Sequence, residues 1–255
     1  MYVCGYTILV MIDTHKKLTT AIFLPVLNEV TALKQILPRI RPEWYDQLII
    51  VDGGSVDGTC EYLQQSGYPY IKQVAPGLAE SYREAFLLST SDYFITFQPD
   101  GNCIPELLPS LLEHLQHGYD IVFVSRFLPP AKSMDDTLIT AFGNRMFTWI
   151  INVLFGGKFT DTLGGFRAYK REAVLRMGLH EQLNEHWIRR KYSLMSTWEV
   201  GGCIRAAKLK LNILEIPGDE PPRIGGSSKM KVFRNGSLVV LNIVYELLTG
   251  RKYLK

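Results

Sequence analysis

The sequence contains few cysteines, little net charge and no long apolar run, and each shortage excludes a class of protein. Its 255 residues include only four cysteines, far apart and without a CxxC pair, so we predict a reduced, cytosolic chain with neither a disulfide framework nor a zinc site. The formal net charge is only +3, and aromatic residues do not alternate with basic runs, so no nucleic-acid partner is expected. No apolar run reaches the roughly 18–20 residues that a membrane-spanning helix needs. The GxGxxG and Walker patterns are also missing, which disfavours a Rossmann dehydrogenase or a P-loop enzyme.

The composition predicts one folded domain with short appendages. Hydrophobic residues make up 47% of the chain and charged residues 21%, as in globular proteins. We expect residues 19–230 to form the main domain, residues 1–18 to form an N-terminal extension or an extra strand, and residues 231–255 to form an amphipathic helix with a basic tail. The apolar segment Tyr6–Ile12 is too short to span a membrane and lacks the basic and cleavage features of a signal peptide.

Strands and helices alternate along the main domain. Strands are predicted at residues 19–25, 48–51, 70–74, 93–98 and 120–127, and amphipathic helices follow most of them. This order predicts an α/β fold with a doubly wound, mostly parallel sheet flanked by helices. Such sheets bind ligands at the carboxyl ends of their strands. The polar residues predicted at those ends are Asn28, Glu29, Asp52, Asp57, Asp100, Asn102 and Arg126.

The stretch Tyr93–Glu106 carries the first chemical signal. An uncharged, aromatic and β-branched strand stops at a turn in which Gln98, Asp100 and Asn102 alternate. Oxygen ligands of this kind suit Mg²⁺ or Mn²⁺, with room for diphosphate oxygens. The alternative is a polar turn in which Asp100 and Asn102 only cap a helix starting near Pro105.

The second half of the chain is less regular. Residues 137–155 predict a long helix, apolar all round, which is either deeply buried or lies against a membrane. Asp161 follows in the segment TDTLGGFR, and a polar loop, GDEPPRIGGSSKMK, precedes a short apolar helix, Leu238–Leu248. That last helix is flanked by cations, which suits an anionic bilayer surface, although a helix closing the core is an equal alternative. Trp187, with the basic residues just after it, is a second candidate contact with the membrane.

Seven motifs together resemble family 2 glycosyltransferases, and among them the dolichyl- or polyprenyl-phosphate hexose synthases. The motifs are LPVLNE, IIVDGGSVDGT, PGLAESYREAF, FITFQPDGNCIPE, VSRF, TDTLGGFRAYKREA and PPRIGGSSKMK. Each motif is weak alone, but seven in the right order and spacing are strong evidence. The match runs from roughly Thr20 to Leu248, which is nearly the whole chain.

The resemblance implies a GT-A fold, a UDP- or GDP-hexose donor and a Mg²⁺ or Mn²⁺ ion held by Gln98, Asp100 and Asn102. It also implies a set of donor-binding residues, which are Pro25, Leu27, Asn28, Glu29, Asp52, Gly53, Gly77, Gln98 and Ser228. For Asp52 the alternative is turn capping, and for Asp57 turn capping is the expected role.

Two residues depart from the family pattern. Gly53 stands where many members carry a second Asp, and Gln98 replaces the first carboxylate of the usual Asp-x-Asp metal motif. A neutral ligand should weaken cation binding until the donor diphosphate adds its own charge.

The implied reaction is attack by a polyprenyl phosphate on the sugar, on the cytoplasmic face of a membrane. Arg126 would assist the leaving diphosphate, whereas Arg223, Ser228 and Lys229 would hold the acceptor. Asp161 would orient the acceptor or act as a base, or else form a structural pair with Arg167. A peripheral enzyme of this kind could need a separate membrane partner protein.

Two other functions stay open. One is a family 2 transferase acting on a saccharide or polymer hydroxyl, which would need Asp161 as a real base. The other is a non-catalytic nucleotide-sugar binder, suggested by Gln98 and Gly53.

Overall fold

The structure is a computed structural model that describes residues 17–181, 197–225 and 232–250. The predictions for Tyr6–Ile12, Trp187, Ser228, Lys229 and the basic tail lie outside the described residues.

One sheet organises the described part of the chain. Its strands are β1 (Thr20–Val26), β2 (Gln47–Asp52), β3 (Tyr70–Lys72), β4 (Tyr93–Thr96), β5 (Ile121–Ser125), β6 (Arg167–Lys170) and β7 (Ile213–Pro217). The strand order is β3-β2-β1-β4-β6-β5-β7, and every neighbouring pair is parallel except the two that include β6. The predicted doubly wound, mostly parallel sheet is therefore confirmed.

Helices cover both faces of this sheet. They are α1 (Val30–Ile36), α2 (Thr59–Gln65), α3 (Leu78–Leu88), α4 (Leu108–Gln116), α5 (Leu138–Phe155), α6 (Arg171–Met177), α7 (Gly202–Leu209) and α8 (Val232–Thr249). The central strand β1 shows why both faces need cover, because Phe23 packs into one hydrophobic cluster and Ile22 and Leu24 into the other. Pro38 marks the end of the first helix, since α1 gives way to a 3₁₀ turn at Leu37–Arg39.

Helix α5 is long but mostly uncovered, so the deep burial offered as one alternative is wrong. Its buried residues are Asn144, Phe147, Thr148 and Ile151. Its exposed large side chains form a stripe on the other side, Leu138, Ile139, Phe142, Met146, Trp149, Val153 and Leu154. With 18 residues and a mean hydropathy of 1.3, α5 is long and apolar enough to cross a membrane, so the prediction that no run reaches this length is also wrong.

Helix α8 divides its residues between the core and the surface. Val239, Ile243 and Glu246 are buried, and Glu246 forms ion pairs with Arg205 at 2.9 Å and with Lys208 at 3.2 Å on α7. The exposed face carries Val240, Leu241, Val244, Leu247 and Leu248. One face therefore closes the core, as one alternative expected, whereas contact of the exposed apolar face with a bilayer stays a prediction.

Candidate active site

The metal-ligand candidates lie in the turn after β4, residues 98–102, which we call the metal turn. The Asp100 side chain is almost fully buried, and its Oδ1 accepts a hydrogen bond from the backbone of Asn102 at 3.1 Å. Its Oδ2 lies 2.8 Å from Nη2 of Arg223. Burial raises the pKa of Asp100, and the Arg223 guanidinium opposes that rise. The capping alternative is wrong, because no side chain caps the helical turn at Pro105, whose N-cap residue is Ile104.

The two amide side chains among the metal-ligand candidates, Asn102 and Gln98, have different hydrogen-bond partners. Asn102 donates from Nδ2 to the carbonyl oxygen of Pro221 at 2.8 Å, which ties the metal turn to the polar loop before α8. Gln98 donates from Nε2 to the hydroxyl of Tyr82 at 3.4 Å. A Cβ atom at Gly165 would lie 2.8 Å from Gln98 Nε2, so this glycine leaves room for the amide.

The loops after β1 and β2 form one hydrogen-bonded group. Asn28 has a left-handed backbone (φ 54°), donates its N–H to Ser55 Oγ at 2.8 Å and accepts from Val56 N–H at 2.8 Å through Oδ1. The Asp52 carboxylate accepts from Gly54 N–H and Ser55 N–H, each at 3.1 Å. Asp52 therefore does cap a turn. A carboxylate has about four acceptor sites, so these bonds leave room for a contact with a nucleotide base, and that contact stays a prediction.

Asp57 fixes the start of α1, as expected of a structural residue. Its Oδ2 accepts from Val30 N–H at 3.1 Å, and its Oδ1 accepts from Thr59 Oγ1 at 2.6 Å. Thr59 Oγ1 also accepts from the N–H of Glu29 at 3.0 Å. The Glu29 carboxylate then reaches the metal turn, because its Oε1 lies 3.7 Å from Arg223 Nη1.

The remaining donor-site candidates surround these loops. Pro25 lies within β1, Leu27 is 43% exposed just beyond it, and Gln73 donates to the carbonyl oxygen of Gly77 at 2.6 Å. A Cβ atom at Gly53 would lie 3.3 Å from Gln73 Oε1. A second Asp at position 53 would therefore require Gln73 to shift, which gives a local reason for the glycine.

Arg126 and Asp161 form a buried, bidentate ion pair. Arg126 donates from Nε to Asp161 Oδ2 at 2.6 Å and from Nη2 to Oδ1 at 3.0 Å. Arg126 Nη1 also contacts Glu220 at 3.0 Å and lies 3.7 Å from Asp136. Burial alone would raise the pKa of Asp161, but Arg126 outweighs it and holds the pKa at about 2. So acidic a carboxyl is a poor general base at neutral pH.

The alternative in which Asp161 pairs with Arg167 is wrong. Arg167 is 1% exposed and donates to four backbone carbonyl oxygens, those of Thr162 at 2.9 Å, Gly164 at 2.7 Å, Glu199 at 2.9 Å and Trp198 at 3.4 Å. The sequence places Arg167 six residues after Asp161, whereas the fold points it towards the π-helical turn Thr197–Gly201. Arg126 takes its place because β5 ends beside the loop that carries Asp161.

Sequence reasoning missed Glu199. This residue is 6% exposed and lines a cavity between the metal turn and α5. Burial raises the pKa of its carboxyl to about 7, although the Arg167 guanidinium lowers it. The available signal was an acidic residue between Trp198 and Val200, inside a short run of core residues.

A cavity of about 670 Å³ connects these groups. Its polar wall is formed by Gln98, Asn102, Arg126, Glu220 and Arg223. Its apolar wall lies between α5 and α8 and includes Ile139, Phe147, Val232, Leu238 and Val239. The cavity therefore has a charged end at the metal turn and an apolar end between two helices.

The side-chain oxygens in the metal turn fit a hard divalent cation as ligands. They belong to one carboxylate, Asp100, and to two amide side chains, Gln98 and Asn102, all on one turn. The guanidinium of Arg223 already lies against Asp100, which shows that this position accepts positive charge.

Comparisons with known proteins agree with this geometry. A family model described as glycosyl transferase family 2 matches residues 21–178. A dolichyl-phosphate hexose transferase of Haloferax volcanii is 28% identical, with 91% of this chain and 95% of that protein covered. An undecaprenyl-phosphate mannosyltransferase of Micrococcus luteus is 27% identical, with 85% and 89% covered.

Solved structures show the same fold. Glucosyl-3-phosphoglycerate synthase of Mycobacterium tuberculosis in complex with Mn²⁺, uridine diphosphate and glucosyl-3-phosphoglycerate has a TM-score of 0.64 at 19% identity, with 93% of this chain and 81% of that chain covered. A complex of the same enzyme with uridine diphosphate has a TM-score of 0.67 at 18% identity, with 97% and 86% covered. Since the family model spans more than half of the chain, the protein belongs to glycosyltransferase family 2 and is a glycosyltransferase with a GT-A fold.

Proposed function

We propose that the protein is a metal-dependent, inverting glycosyltransferase that moves a hexose from UDP-hexose or GDP-hexose to a polyprenyl monophosphate. The observation that carries this proposal is the cavity, which is charged at the metal turn and apolar between α5 and α8. A polyprenyl phosphate has the same division, because an anionic head is joined to a hydrocarbon chain. Two relatives named for transfer to polyprenyl phosphates support the same acceptor class.

The donor would bind across the ends of β1, β2 and β4. The nucleoside would contact the loop residues Pro25, Leu27, Asn28, Glu29, Asp52, Gly53 and Gly77, and its diphosphate would reach the metal turn. Gln98, Asp100 and Asn102 would hold Mg²⁺ or Mn²⁺, which neutralises negative charge on the departing diphosphate when bound. A structure of similar fold that contains Mn²⁺ with uridine diphosphate supports the use of a divalent cation with a nucleotide donor.

In the proposed reaction a phosphate oxygen of the lipid attacks the anomeric carbon. One carbon–oxygen bond forms as the bond from that carbon to the donor diphosphate breaks, and the nucleoside diphosphate leaves with the bonding electron pair. The attacking phosphate is already an anion, so it needs no strong base. This agrees with Asp161, whose pKa of about 2 leaves it no proton-accepting role near neutral pH. Catalysis then depends on positioning two anions and on stabilising the leaving group.

Cations are available for the acceptor phosphate at the charged end of the cavity. Arg223, within the polar loop, lines this end, and Arg126, just after β5, lines it beside the proposed leaving group. Ser228 and Lys229 complete this acceptor set in the proposal. Arg126 is fixed by Asp161 and Glu220, so it would assist the leaving diphosphate from a constant position.

The exposed stripes of α5 and α8 would lie on the bilayer surface. Trp149 is 65% exposed and Phe142 68% exposed on α5, and α8 carries an exposed apolar face of its own. The inner face of α5 is bonded to the domain, since Asn144 donates to Asp161 at 2.9 Å and Thr148 bonds Thr162 at 2.9 Å. Those bonds would break if α5 left the domain to span the bilayer. We therefore propose a peripheral enzyme on the cytoplasmic face, with or without a membrane partner protein.

A transfer assay tests the acceptor class. Purified protein is incubated with Mn²⁺, a panel of UDP-hexoses and GDP-hexoses, and either a polyprenyl monophosphate or the matching polyprenol. The proposal predicts a lipid-linked hexose and free nucleoside diphosphate only with the phosphate acceptor. Transfer to polyprenol or to a soluble saccharide would contradict the acceptor, and nucleotide binding without any release of nucleoside diphosphate would favour a binding protein.

A further inference from the structure

We infer that Arg223 and the divalent cation compete for the Asp100 carboxylate, so that binding of the cation with its donor releases Arg223 to the acceptor side of the cavity. The inference rests on the proposed function and adds an order of events to it. One arginine would serve first as a counter-charge for the metal turn and then as a ligand for the incoming phosphate.

The contacts of Arg223 place it where a cation would bind. Its Nη2 lies 2.8 Å from Asp100 Oδ2, and its Nη1 lies 3.7 Å from Glu29 Oε1. The other oxygen of Asp100, Oδ1, accepts from the Asn102 amide. Oδ2 is therefore the oxygen left for a metal, and a cation about 2.1 Å from it would meet the guanidinium at repulsive range.

The backbone next to Arg223 is fixed on both sides. Ile224 N–H donates to the carbonyl oxygen of Asp100 at 2.8 Å, and the carbonyl oxygen of Pro221 accepts from Asn102 at 2.8 Å. Gly101 has φ 99°, and a Cβ atom there would lie 2.7 Å from Ile224. With the backbone held against the metal turn, rotation of the long arginine side chain is the simplest way to vacate Asp100.

The present position of Arg223 satisfies its guanidinium incompletely. Among the described residues, its buried Nε–H has no hydrogen-bond partner, and its side chain is 21% exposed in the cavity wall. Arg126 differs, because its donors are directed at the carboxylates of Asp161 and Glu220. Of these two arginines, Arg223 is the one whose contacts a divalent cation can replace.

Competition for Asp100 would couple the two substrates. The acceptor phosphate would gain the guanidinium of Arg223 only once the donor complex has displaced it from Asp100. Binding of donor and acceptor would then be cooperative and ordered, with the donor first.

Manganese binding measured without turnover tests this inference. Free Mn²⁺ is followed by electron paramagnetic resonance during titration with wild-type protein and with Arg223→Ala, each alone and with UDP or GDP. We predict that Arg223→Ala binds Mn²⁺ about tenfold more tightly than wild type without nucleotide, which is about 1.4 kcal/mol. Arg223→Lys should restore part of the competition. The gain should vanish in the Asp100→Asn background, where the contested oxygen is lost.

A matched control separates local competition from net charge. Arg83 forms an ion pair with Glu80 at 2.7 Å, and the two side chains are 15% and 13% exposed, close to the values for Arg223 and Asp100. Arg83→Ala makes the same change in net charge and should leave Mn²⁺ affinity unchanged. Equal or weaker Mn²⁺ binding by Arg223→Ala, or an equal gain in Arg83→Ala, would overturn the inference. Competition could fail in this way while wild type still binds Mn²⁺ with nucleotide and transfers sugar, which would leave the proposed function standing.

Discussion

Replacing Asp161 by Asn tests whether this buried carboxylate is a structural anion or a catalytic base. The carboxylate accepts from Arg126 and from Asn144 Nδ2, and from the backbone N–H groups of Leu163 at 3.2 Å and Gly164 at 3.0 Å. An amide of the same shape has only one oxygen. Its NH₂ group would face donors, and the charge that balances Arg126 would be lost.

The expected loss of stability follows from these contacts. Breaking a buried ion pair by removing one partner costs about 3–5 kcal/mol. Arg126 would keep Glu220 at 3.0 Å and Asp136 at 3.7 Å, so we expect the lower end, about 3 kcal/mol. The same pair with Arg126 lowers the pKa of Asp161 from 3.8 to about 2, which corresponds to about 2 kcal/mol.

The pH dependence of this contribution has a definite sign. The folded-state pKa of Asp161 lies below the unfolded value, so its stabilisation is complete above about pH 4 and is lost as pH falls towards 2. Wild type should therefore lose stability more steeply than Asp161→Asn in that range.

Urea denaturation of both proteins at pH 7 and at several acidic values measures these differences. Glu106→Gln is the control, because its ion pair with Arg39 at 2.7 Å is exposed and should contribute less than about 1 kcal/mol. A drop below 1 kcal/mol for Asp161→Asn, together with complete loss of sugar transfer, would refute the structural assignment and identify a base.

Three further substitutions probe other parts of the account. In urea denaturation, Glu199→Gln should stabilise the protein by about 2–3 kcal/mol at pH 8 and flatten the dependence of its stability on pH between 5 and 8. The reason is that a carboxyl whose pKa is raised to about 7 destabilises the fold as pH rises. An unchanged pH profile would contradict this. Trp149→Glu should weaken binding to phosphatidylglycerol vesicles at least about tenfold in a flotation assay. Leu87→Glu is the control, because Leu87 is 57% exposed on α3, and this change should not weaken binding. Equal effects of the two changes would contradict contact of α5 with the membrane. Glu246→Gln should cost about 3 kcal/mol in urea denaturation because Arg205 loses its buried partner, and a loss under 1 kcal/mol would show that the pair does not anchor α8.

The sequence predicted the layout of the sheet well, because its signals were local. Continuous apolar strands such as Leu48–Val51 and turn residues such as Pro99 and Gly101 mark each strand end without help from the rest of the chain. The order of the last three strands was harder to foresee. β6 enters the sheet antiparallel between β4 and β5, and that choice depends on packing between distant segments.

Within the site, sequence reasoning found the residues but not all of their partners. It named Asp161, Arg126 and Arg223 as candidates, yet the one ion-pair partner that it weighed for Asp161 was Arg167, its near neighbour in the sequence. The actual partner lies 35 residues earlier, and the contact of Arg223 with Asp100 crosses more than 100 residues. Such contacts depend on how strand ends meet at one edge of the sheet, which composition and spacing do not encode.

The exposed face of α5 shows a second limit of sequence patterns. The helix carries apolar residues on nearly every side, so its hydrophobic pattern could not distinguish burial from contact with lipid. In the structure, the hydrogen bonds of Asn144 and Thr148 show which side of α5 faces the domain, and contact with lipid stays a proposal. The remaining apolar stripe is then the outer surface.

The most direct test of the central claim is the rate of hexose transfer to polyprenyl phosphate by Asp100→Ala across a Mn²⁺ titration. The account predicts a loss of at least about 10²-fold that added Mn²⁺ does not recover, because the one carboxylate that holds the cation is gone. A rate within a fewfold of wild type, with the same dependence on Mn²⁺, would contradict it.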